Sequence, residues 1–506
     1  MEVELKLLID AADVAAFEHH PLLAHYALAA PHTQHLTSIY FDTSELDLQR
    51  GAAALRVRHA GRYWIQTFKA GGGVDAGLHQ REEWESPVAG PTVDLAALRA
   101  LVEPDSEWAE MLSDPTLTDR LLPIFTTNFE RRIWMLRSVH GDEVELALDQ
   151  GSVQHGKLEA PISEVELELR HGQPAALFEL ALALQETISL RVGSTSKAER
   201  GYALLAPQPT TPDKGRALAL AADLTVEQGF QAIVGNCLAQ MQGNETGVAR
   251  GIDPESVHQM RIGLRRLRSA LALFRKLIPC PPAMQAELAW LGDALGQARD
   301  WEVLATTTLG RVKNTGPHAP ELAPLRHAAW QVAQGSHQRA ATAVASVRYA
   351  RLVLTLGAWT LGMCWRDPAA ADHGKALSAP LRRFAARRLK RLRQILCRRG
   401  RHLKSGAAPA RHRVRIAAKK LRYAAEFFQS YFHGKQNRAL LESLAAVQDV
   451  LGRLNDVAVA SRLLRDLACR HAELAEETDF VCDYFDADAQ RDLRKLKKPW
   501  HAFVRL

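Results

Sequence analysis

Polar and apolar side chains alternate through the first two hundred residues, and then the period changes. Segments at 2–9, 37–41, 54–59, 63–70, 79–87, 125–136, 144–149 and 162–169 alternate or are rich in strand formers, which predicts roughly eight strands. Helical insertions are expected near 93–112 and 173–188. At 207–212 the chain reads Pro-Gln-Pro-Thr-Thr-Pro, followed by Asp213, Lys214 and Gly215, a run that neither a helix nor a central strand tolerates. Beyond it almost everything scans as helix, rich in Ala, Leu and Arg and broken by turns such as Ile278-Pro279-Cys280-Pro281-Pro282. The expected organisation is a β-rich domain over 1–205, a linker over 206–224 and an all-α domain over 225–506. The longest apolar run, Leu352 to Trp365, falls short of the roughly 18 residues of a membrane span and reads as a buried helix.

Composition narrows the classes. With 506 residues, 47% hydrophobic and 24% charged, the chain is neither disordered, collagen-like nor a miniature disulfide scaffold. Its six cysteines form no C-x-x-C pair, which argues against a zinc ribbon and a thioredoxin-like centre. No basic region feeds an apolar stretch behind Met1-Glu2-Val3-Glu4, so no signal peptide is expected. Reduced thiols and a cytoplasmic address follow.

The net charge of +7 hides a split: residues 1–200 hold 17 Lys+Arg against 31 Asp+Glu, or −14, which leaves +21 for residues 201–506. An acidic half suits cations and a basic half suits polyanions. Within the acidic half the charges segregate by strand. Glu2, Glu4 and Lys6 share one face, as do Arg56 with Arg58, and Glu164 with Glu166 and Glu168, because side chains two apart point the same way. Either the sheet has one solvated face, or it closes into a barrel with a charged interior. Solvated faces usually mix signs strand by strand, whereas here carboxylates pair on some strands and guanidiniums on another. Hard divalent cations take oxygen ligands, and arginine forks match phosphate oxygens, so a compartment holding both suits a metal–phosphate chain.

These residues resemble a known family. Glu2-Val3-Glu4-Leu5-Lys6 is similar to the E-x-E-x-K signature of the CYTH domain, in the triphosphate tunnel metalloenzyme superfamily. It is joined in order by Arg56-Val57-Arg58, Lys69, Gly77-Leu78-His79-Gln80-Arg81, Arg131, Ala147-Leu148-Asp149-Gln150-Gly151, Glu164-Val165-Glu166 and Ser196-Lys197-Ala198-Glu199-Arg200-Gly201-Tyr202. The resemblance implies an eight-stranded antiparallel tunnel that hydrolyses inorganic triphosphate to pyrophosphate and phosphate with Mg²⁺ or Mn²⁺. It implies that Glu2, Glu4, Asp149, Glu164 and Glu166 hold metal. Lys6, Arg56, Arg58, Lys69, Arg81, Arg131, Lys197 and Arg200 grip phosphates, and Glu2, Glu4, Lys6, Arg56 and Arg58 form the catalytic set. A thiamine triphosphatase, an adenylyl cyclase and a non-catalytic binding or targeting protein stay open as alternatives.

The basic half repeats itself. His258-Gln259-Met260-Arg261 with Arg265 and Arg268 returns as His412-Arg413-Val414-Arg415 with Lys419 and Arg422, and the motif ending at Asp300 returns in the one ending at Asp456. Two matched motifs at nearly equal offsets indicate an internal duplication, far longer than a solenoid repeat. On a helix, His258, Arg261, Arg265 and Arg268 make one stripe about 15 Å long, and His412, Arg415, Lys419 and Arg422 repeat it. A third basic run spans residues 382–404. This half resembles the CHAD domain, a histidine-containing helical module often fused to CYTH, which implies that the two stripes bind inorganic polyphosphate. Nucleic acid fits less well, since the stripes carry only Tyr423 as a stacking platform. The fold class expected is therefore multidomain α+β: a β tunnel with flanking helices, then a duplicated all-α bundle. Triphosphate and polyphosphate are the expected partners, no membrane is, and the expected address is cytoplasmic with polyphosphate granules as an associated site.

Overall fold

A computed structural model describes residues 2–75, 78–205, 211–251, 253–312, 320–366, 371–401, 403, 408–432 and 434–506. The chain divides into two compact units, the first comprising Met1–Thr210 with Ser346–Cys364 and the second Thr211–Ala345 with Trp365–Leu506.

The first unit is built on β1 (Glu2–Ile9), β2 (His32–Asp42), β3 (Ala53–Ala60), β4 (Tyr63–Asp75), β5 (Leu78–Val88), β6 (Leu122–Arg137), β7 (Glu143–His155), β8 (Leu158–His171) and β9 (Leu190–Val192). Their order in the sheet is β5-β4-β3-β2-β6-β7-β8-β1-β9, and β1 also pairs with β5. That extra pairing, with Glu2 opposite Arg81 and Glu4 opposite His79, joins the two ends of the sheet into a ring of eight antiparallel strands. The strand count is nine where eight were expected. The short β9 takes the other stretch of the β1 edge, with Leu7 opposite Val192, and leaves the ring itself unchanged.

Alternation decides what faces inward. On β3, Leu55 and Val57 are fully buried on the outer face, where Leu55 packs with Phe68, Leu98 and Trp108 beneath the helical insertion, while Arg56 and Arg58 point to the interior. On β8 both faces are buried: Val165 and Leu167 outward, Glu164 and Glu166 inward. A strand whose polar face is buried must find partners for each carboxylate, and the ring supplies them. Helices α1 (Ala175–Leu184) and α2 (Lys197–Leu205) cover the strands. Gly201 lets α2 lie flat against β6, since a Cβ there would sit 2.2 Å from Phe125 Cε2.

The second unit is helical. Its repeated motifs lie on α3 (Pro254–Phe274) and α4 (Pro282–Glu302) in the first copy. The apolar run Leu352–Trp365 forms most of α5 (Val347–Leu361), whose Leu352, Val353, Leu354 and Leu356 are buried. This helix belongs to the first unit, although sequence placed it within 225–506, because it packs on α1 and β9. The second copy of the repeat uses α7 (Ala408–Phe427) and α8 (Lys435–Ala468), preceded by the basic helix α6 (Leu381–Gly400). Helices α3, α4, α7 and α8 pack on one another in a cycle, which brings the two copies of the motif to a common face. One difference between the copies is that α4 runs into a π-helical turn at Val303–Thr308, whereas α8 continues unbroken for 34 residues. No helix among the described residues is long and apolar enough to cross a membrane.

Candidate active site

The ring encloses a cavity of about 440 Å³ lined by charged side chains of both signs. Register explains the segregation read from sequence. Lys6 of β1 lies opposite Glu166 of β8, and Glu4 opposite Glu168. Asp149 of β7 lies opposite Glu164 on one side and Arg131 of β6 on the other. The carboxylates of this wall therefore come from three neighbouring strands, β1, β8 and β7. The guanidiniums of Arg56 and Arg58 come from β3, opposite Tyr40 and Ser38 of β2.

Asp149, Glu164 and Glu166 each bring one oxygen to a common point, all within 4.8 Å of one another. Asp149 and Glu164 have no exposed surface and Glu166 is 8% exposed. Lys6 Nζ donates to Glu164 Oε1 at 3.0 Å and contacts Glu166 and, at 3.6 Å, Glu4. Lys197 Nζ lies 2.6 Å from Asp149 Oδ2 and 2.9 Å from Glu166 Oε1. Arg131 grips Asp149 with two bonds of 2.7 Å and reaches Glu166 as well, and Arg200 lies against Glu164. Burial opposes ionisation of Glu166, but Lys197, Lys6 and Arg131 overcome it and hold its carboxyl well below the usual range. Asp149 is held low in the same way by Lys197 and Arg131. Burial likewise opposes the Lys6 ammonium, and Glu166, Glu4 and Asp149 outweigh it and raise its pKa.

The opposite wall is balanced differently. Lys69 pairs with Glu83 at 2.9 Å, and Arg56 lies 3.6 Å from Glu83 and 3.9 Å from Glu85. Arg58 donates to the hydroxyl of Ser38 at 3.3 Å. Burial, followed by the repulsion of Arg56 and Arg131, pushes the Arg58 pKa down to about 10. A guanidinium so placed is in surplus positive field, and an anion in the cavity would relieve it.

The structure thus brings together Glu4, Lys6, Arg56, Arg58, Lys69, Arg131, Glu166 and Lys197 around one cavity, with Asp149, Glu164 and Arg200 tied to them by ion pairs. The side chains of Glu2 and Arg81 lie outside the described residues; their backbones pair with each other across β1 and β5. Tyr40 also lines the cavity and was missed, because a tyrosine in a strand reads first as core. Its position on the inward face, two residues from Ser38 and two from Asp42, was the available signal.

In the second unit His258, Arg261 and Arg265 of α3 meet Arg415 of α7 around a hollow of about 180 Å³, together with Arg299, Asp300 and Asp456. Arg261 donates to Asp300 at 3.2 Å. Arg265 and Arg268 line a neighbouring hollow of about 530 Å³ with Lys419, Lys420, Arg275 and Tyr423. Arg275 and Lys420 pass into a third, shared with Arg388, Arg391 and Arg399 of α6. Among the described residues, neither of these last two hollows has a carboxylate in its lining. Burial, then Arg299, pushes His258 down to about 4, so it is neutral at pH 7 and offers hydrogen bonds without charge. His412 lines a separate hollow with Arg415. Arg422 donates to Glu426 of its own helix at 2.7 Å. Asp300 and Asp456 were visible as a repeated residue, but their place inside the basic hollow was not.

The CYTH domain family matches residues 1–202 and the CHAD domain family matches residues 232–465. The inorganic triphosphatase of Haemophilus influenzae is 33% identical over 204 residues, which cover 40% of this chain and 54% of that protein, so the chain spans about half the length of that relative. The crystal structure of the CHAD domain from the plant Ricinus communis is 42% identical, with a TM-score of 0.52, and the match covers 58% of this chain and 97% of that one.

Proposed function

This chain is a CYTH–CHAD protein of the triphosphate tunnel metalloenzyme superfamily, and from that premise we infer that its barrel hydrolyses inorganic triphosphate to pyrophosphate and phosphate while its helical domain binds inorganic polyphosphate. The observation that carries the reading is the enclosure of an acidic wall and a cationic wall in one cavity. Asp149, Glu164 and Glu166 offer only oxygen donors at close convergence, the donor set of a hard divalent cation. With Glu4 and Glu2 they would hold Mg²⁺ or Mn²⁺. Such an ion, when bound, polarises phosphoryl oxygens and eases deprotonation of water.

The chain's own residues do the rest. Arg56, Arg58 and Lys69 hold the phosphate chain along β3 and β4, where Arg58 has no carboxylate partner among its contacts above. Arg131 fixes Asp149 in one orientation through its two parallel bonds. Lys6, Lys197 and Arg200, which balance the carboxylates in this structure, would meet phosphate oxygens in the same chamber. Phosphoryl transfer depends mainly on positioning and on stabilising charge on the transferred group and the leaving pyrophosphate, and cations fixed by a β-ring need no reorganisation to do so.

For the second unit, Arg261, Arg265, Arg268, Arg415 and Lys419, with neutral His258 beside them and His412 and Arg422 at the edge, suit a polyanion without bases. The six free thiols suit the reducing cytoplasm, where polyphosphate granules would be the associated site. The test is a parallel assay of tripolyphosphate, thiamine triphosphate and ATP with Mg²⁺ and with Mn²⁺. Preferred release of phosphate from tripolyphosphate supports the reading, and preference for either organic triphosphate replaces it. Competition of RNA against polyphosphate tests the helical domain in the same way.

A further inference from the structure

The hollow of about 530 Å³ between α3, α4 and α7 has a floor of hydrocarbon and a rim of cations. Leu271 and Ala272 of α3, Leu288 of α4 and Ile416 of α7 supply the floor. Arg265 and Arg268, one turn apart on the same face of α3, share the rim with Arg275 and with Lys419 and Lys420 of α7, and among the described residues no carboxylate lines it. The Nε–H of Arg265 is buried with no hydrogen-bond partner among the described residues. The hollow therefore contains a donor that the oxygen of an anion would satisfy.

Lys419 is half-buried in this rim. Apolar side chains beneath it and like charges around it both disfavour an ammonium. Arg265 and Arg261 face it from α3 and Arg415 from one turn back on its own helix, while Asp456 of α8 opposes them. Burial is the larger effect and the three guanidiniums add to it, so the amine titrates at about 7 in spite of Asp456. A lysine desolvated beside other cations is an amine nucleophile at neutral pH. Cys280, which also lines the hollow, does not compete with it: burial pushes its thiol up to about 11, and the thiol form is a poor nucleophile.

We propose that this hollow is an acylation site: the phosphoryl group of a short-chain acyl phosphate docks on Arg265 and Arg268, its acyl group lies on the apolar floor, and Lys419 Nζ takes the acyl group. The Nζ lone pair attacks the carbonyl carbon and an N–C bond forms. The bond from that carbon to the bridging oxygen breaks, and its electron pair leaves on phosphate. The nitrogen gives one proton to water, so the products are an Nζ-acylated Lys419 and inorganic phosphate, with no oxidant or further reactant. Arginine forks match the phosphoryl oxygens and stabilise the charge that grows on the leaving phosphate. Acylation deletes one positive charge from the basic face, so under the polyphosphate reading the modified protein binds polyphosphate less tightly. The acylation itself does not depend on that reading.

The experiment incubates the full chain with acetyl phosphate and follows each lysine by peptide mass spectrometry over time. At pH 7 about half of Lys419 is unprotonated, against roughly one part in 2,500 of a lysine with the ordinary pKa of about 10.4. A weaker base is also a weaker nucleophile, so the net expectation is acetylation at least about tenfold faster than at the exposed Lys375. The Lys419 rate should level off above about pH 8, whereas the Lys375 rate should keep rising about tenfold per pH unit. Arg268→Ala removes half of the anchor and leaves Arg265, Arg415 and Arg261, which set the basicity of the amine. It should slow the reaction of Lys419 with acetyl phosphate about tenfold, the usual effect of losing a hydrogen bond to a charged group, and leave its reaction with acetic anhydride, which carries no phosphate, at the wild-type rate. Lys419 reacting no faster than Lys375, or a Lys419 rate still climbing tenfold per unit beyond pH 8, overturns the proposal. So does an Arg268→Ala variant that keeps the wild-type rate with acetyl phosphate or loses as much with acetic anhydride.

Discussion

Glutamine in place of Glu166 keeps the shape of the side chain and deletes its charge. In the wild-type chamber four cations, Lys6, Arg131, Lys197 and Arg200, face three carboxylates, Asp149, Glu164 and Glu166; the variant leaves the same four facing two. Removing one partner of a buried ion pair costs about 3–5 kcal/mol, because the remaining charge is left without compensation. The lower end applies here, since Lys6, Lys197 and Arg131 each keep a second carboxylate and the amide oxygen still accepts. A loss of about 3 kcal/mol is therefore expected at pH 7. The pH dependence gives the result its sign. Burial disfavours the Glu166 charge, and Lys197, Lys6 and Arg131 more than reverse this, so its folded pKa lies well below its unfolded one. Stability from a depressed carboxyl is fully present above the unfolded value of about 4.3 and is lost as pH falls through the folded one. The gap between wild type and Glu166→Gln should be constant from neutral pH to about pH 5 and should shrink on further acidification. Urea unfolding of the full chain at several pH values, followed by tryptophan fluorescence, measures it. Turnover of tripolyphosphate should fall at least about a hundredfold in the same variant. Equal stability at pH 7, or a gap that persists undiminished in acid, would refute the charge balance described for this chamber.

Other outcomes follow from single positions. Arg261→Ala and Arg415→Ala should each weaken polyphosphate binding and make the plot of log affinity against log salt shallower by about one, as fewer counterions are released; an unchanged slope removes that residue from the groove. Burial, with Arg265, Arg415 and Arg261 around it, pushes the Lys419 ammonium down to about 7. The free protein thus loses this charge as pH rises through neutrality and polyphosphate affinity should drop in that window, whereas Lys419→Arg should flatten the curve, as titration calorimetry at three pH values would show. Gly201→Ala drives a methyl to 2.2 Å from Phe125 Cε2, and overpacking of this kind costs about 1–3 kcal/mol. The thermal midpoint of the first unit should fall, and triphosphate KM should rise as Lys197 and Arg200 are displaced with α2.

Much of the barrel was legible because its interior is charged: alternation of carboxylates with aliphatics along 162–169 states both the strand and its inward face. Strand ends were less legible. β2 begins at His32, five residues before the segment read from sequence, because His32, Thr33, Gln34 and His35 are all exposed and carry no apolar alternation. β9 has three residues and no pattern of its own. The destination of α5 was unreadable, since an apolar face states that it is buried but not against what; Gly357 meeting Phe178 of α1 becomes meaningful only in three dimensions. In the site, residues two apart on one strand were assigned together correctly to one face. Those whose role depends on a neighbour from another strand, such as Tyr40 opposite Arg56, or Asp300 and Asp456 in one hollow, needed the register. Arg422 needed the packing too: helical spacing put it in the stripe, and the structure adds a bond to Glu426 one turn along the same helix.

The central claim is that opposite charges inside the ring serve metal-dependent cleavage of a phosphoanhydride. The most direct measurement is single-turnover reaction of the full chain with tripolyphosphate and Mg²⁺, or Mn²⁺, resolving phosphate and pyrophosphate together. Release of the two products in equal amounts, abolished by chelator and by Glu166→Gln, is the predicted result. Tight binding of tripolyphosphate with no product formed in either metal would contradict it and leave the tunnel a binding site.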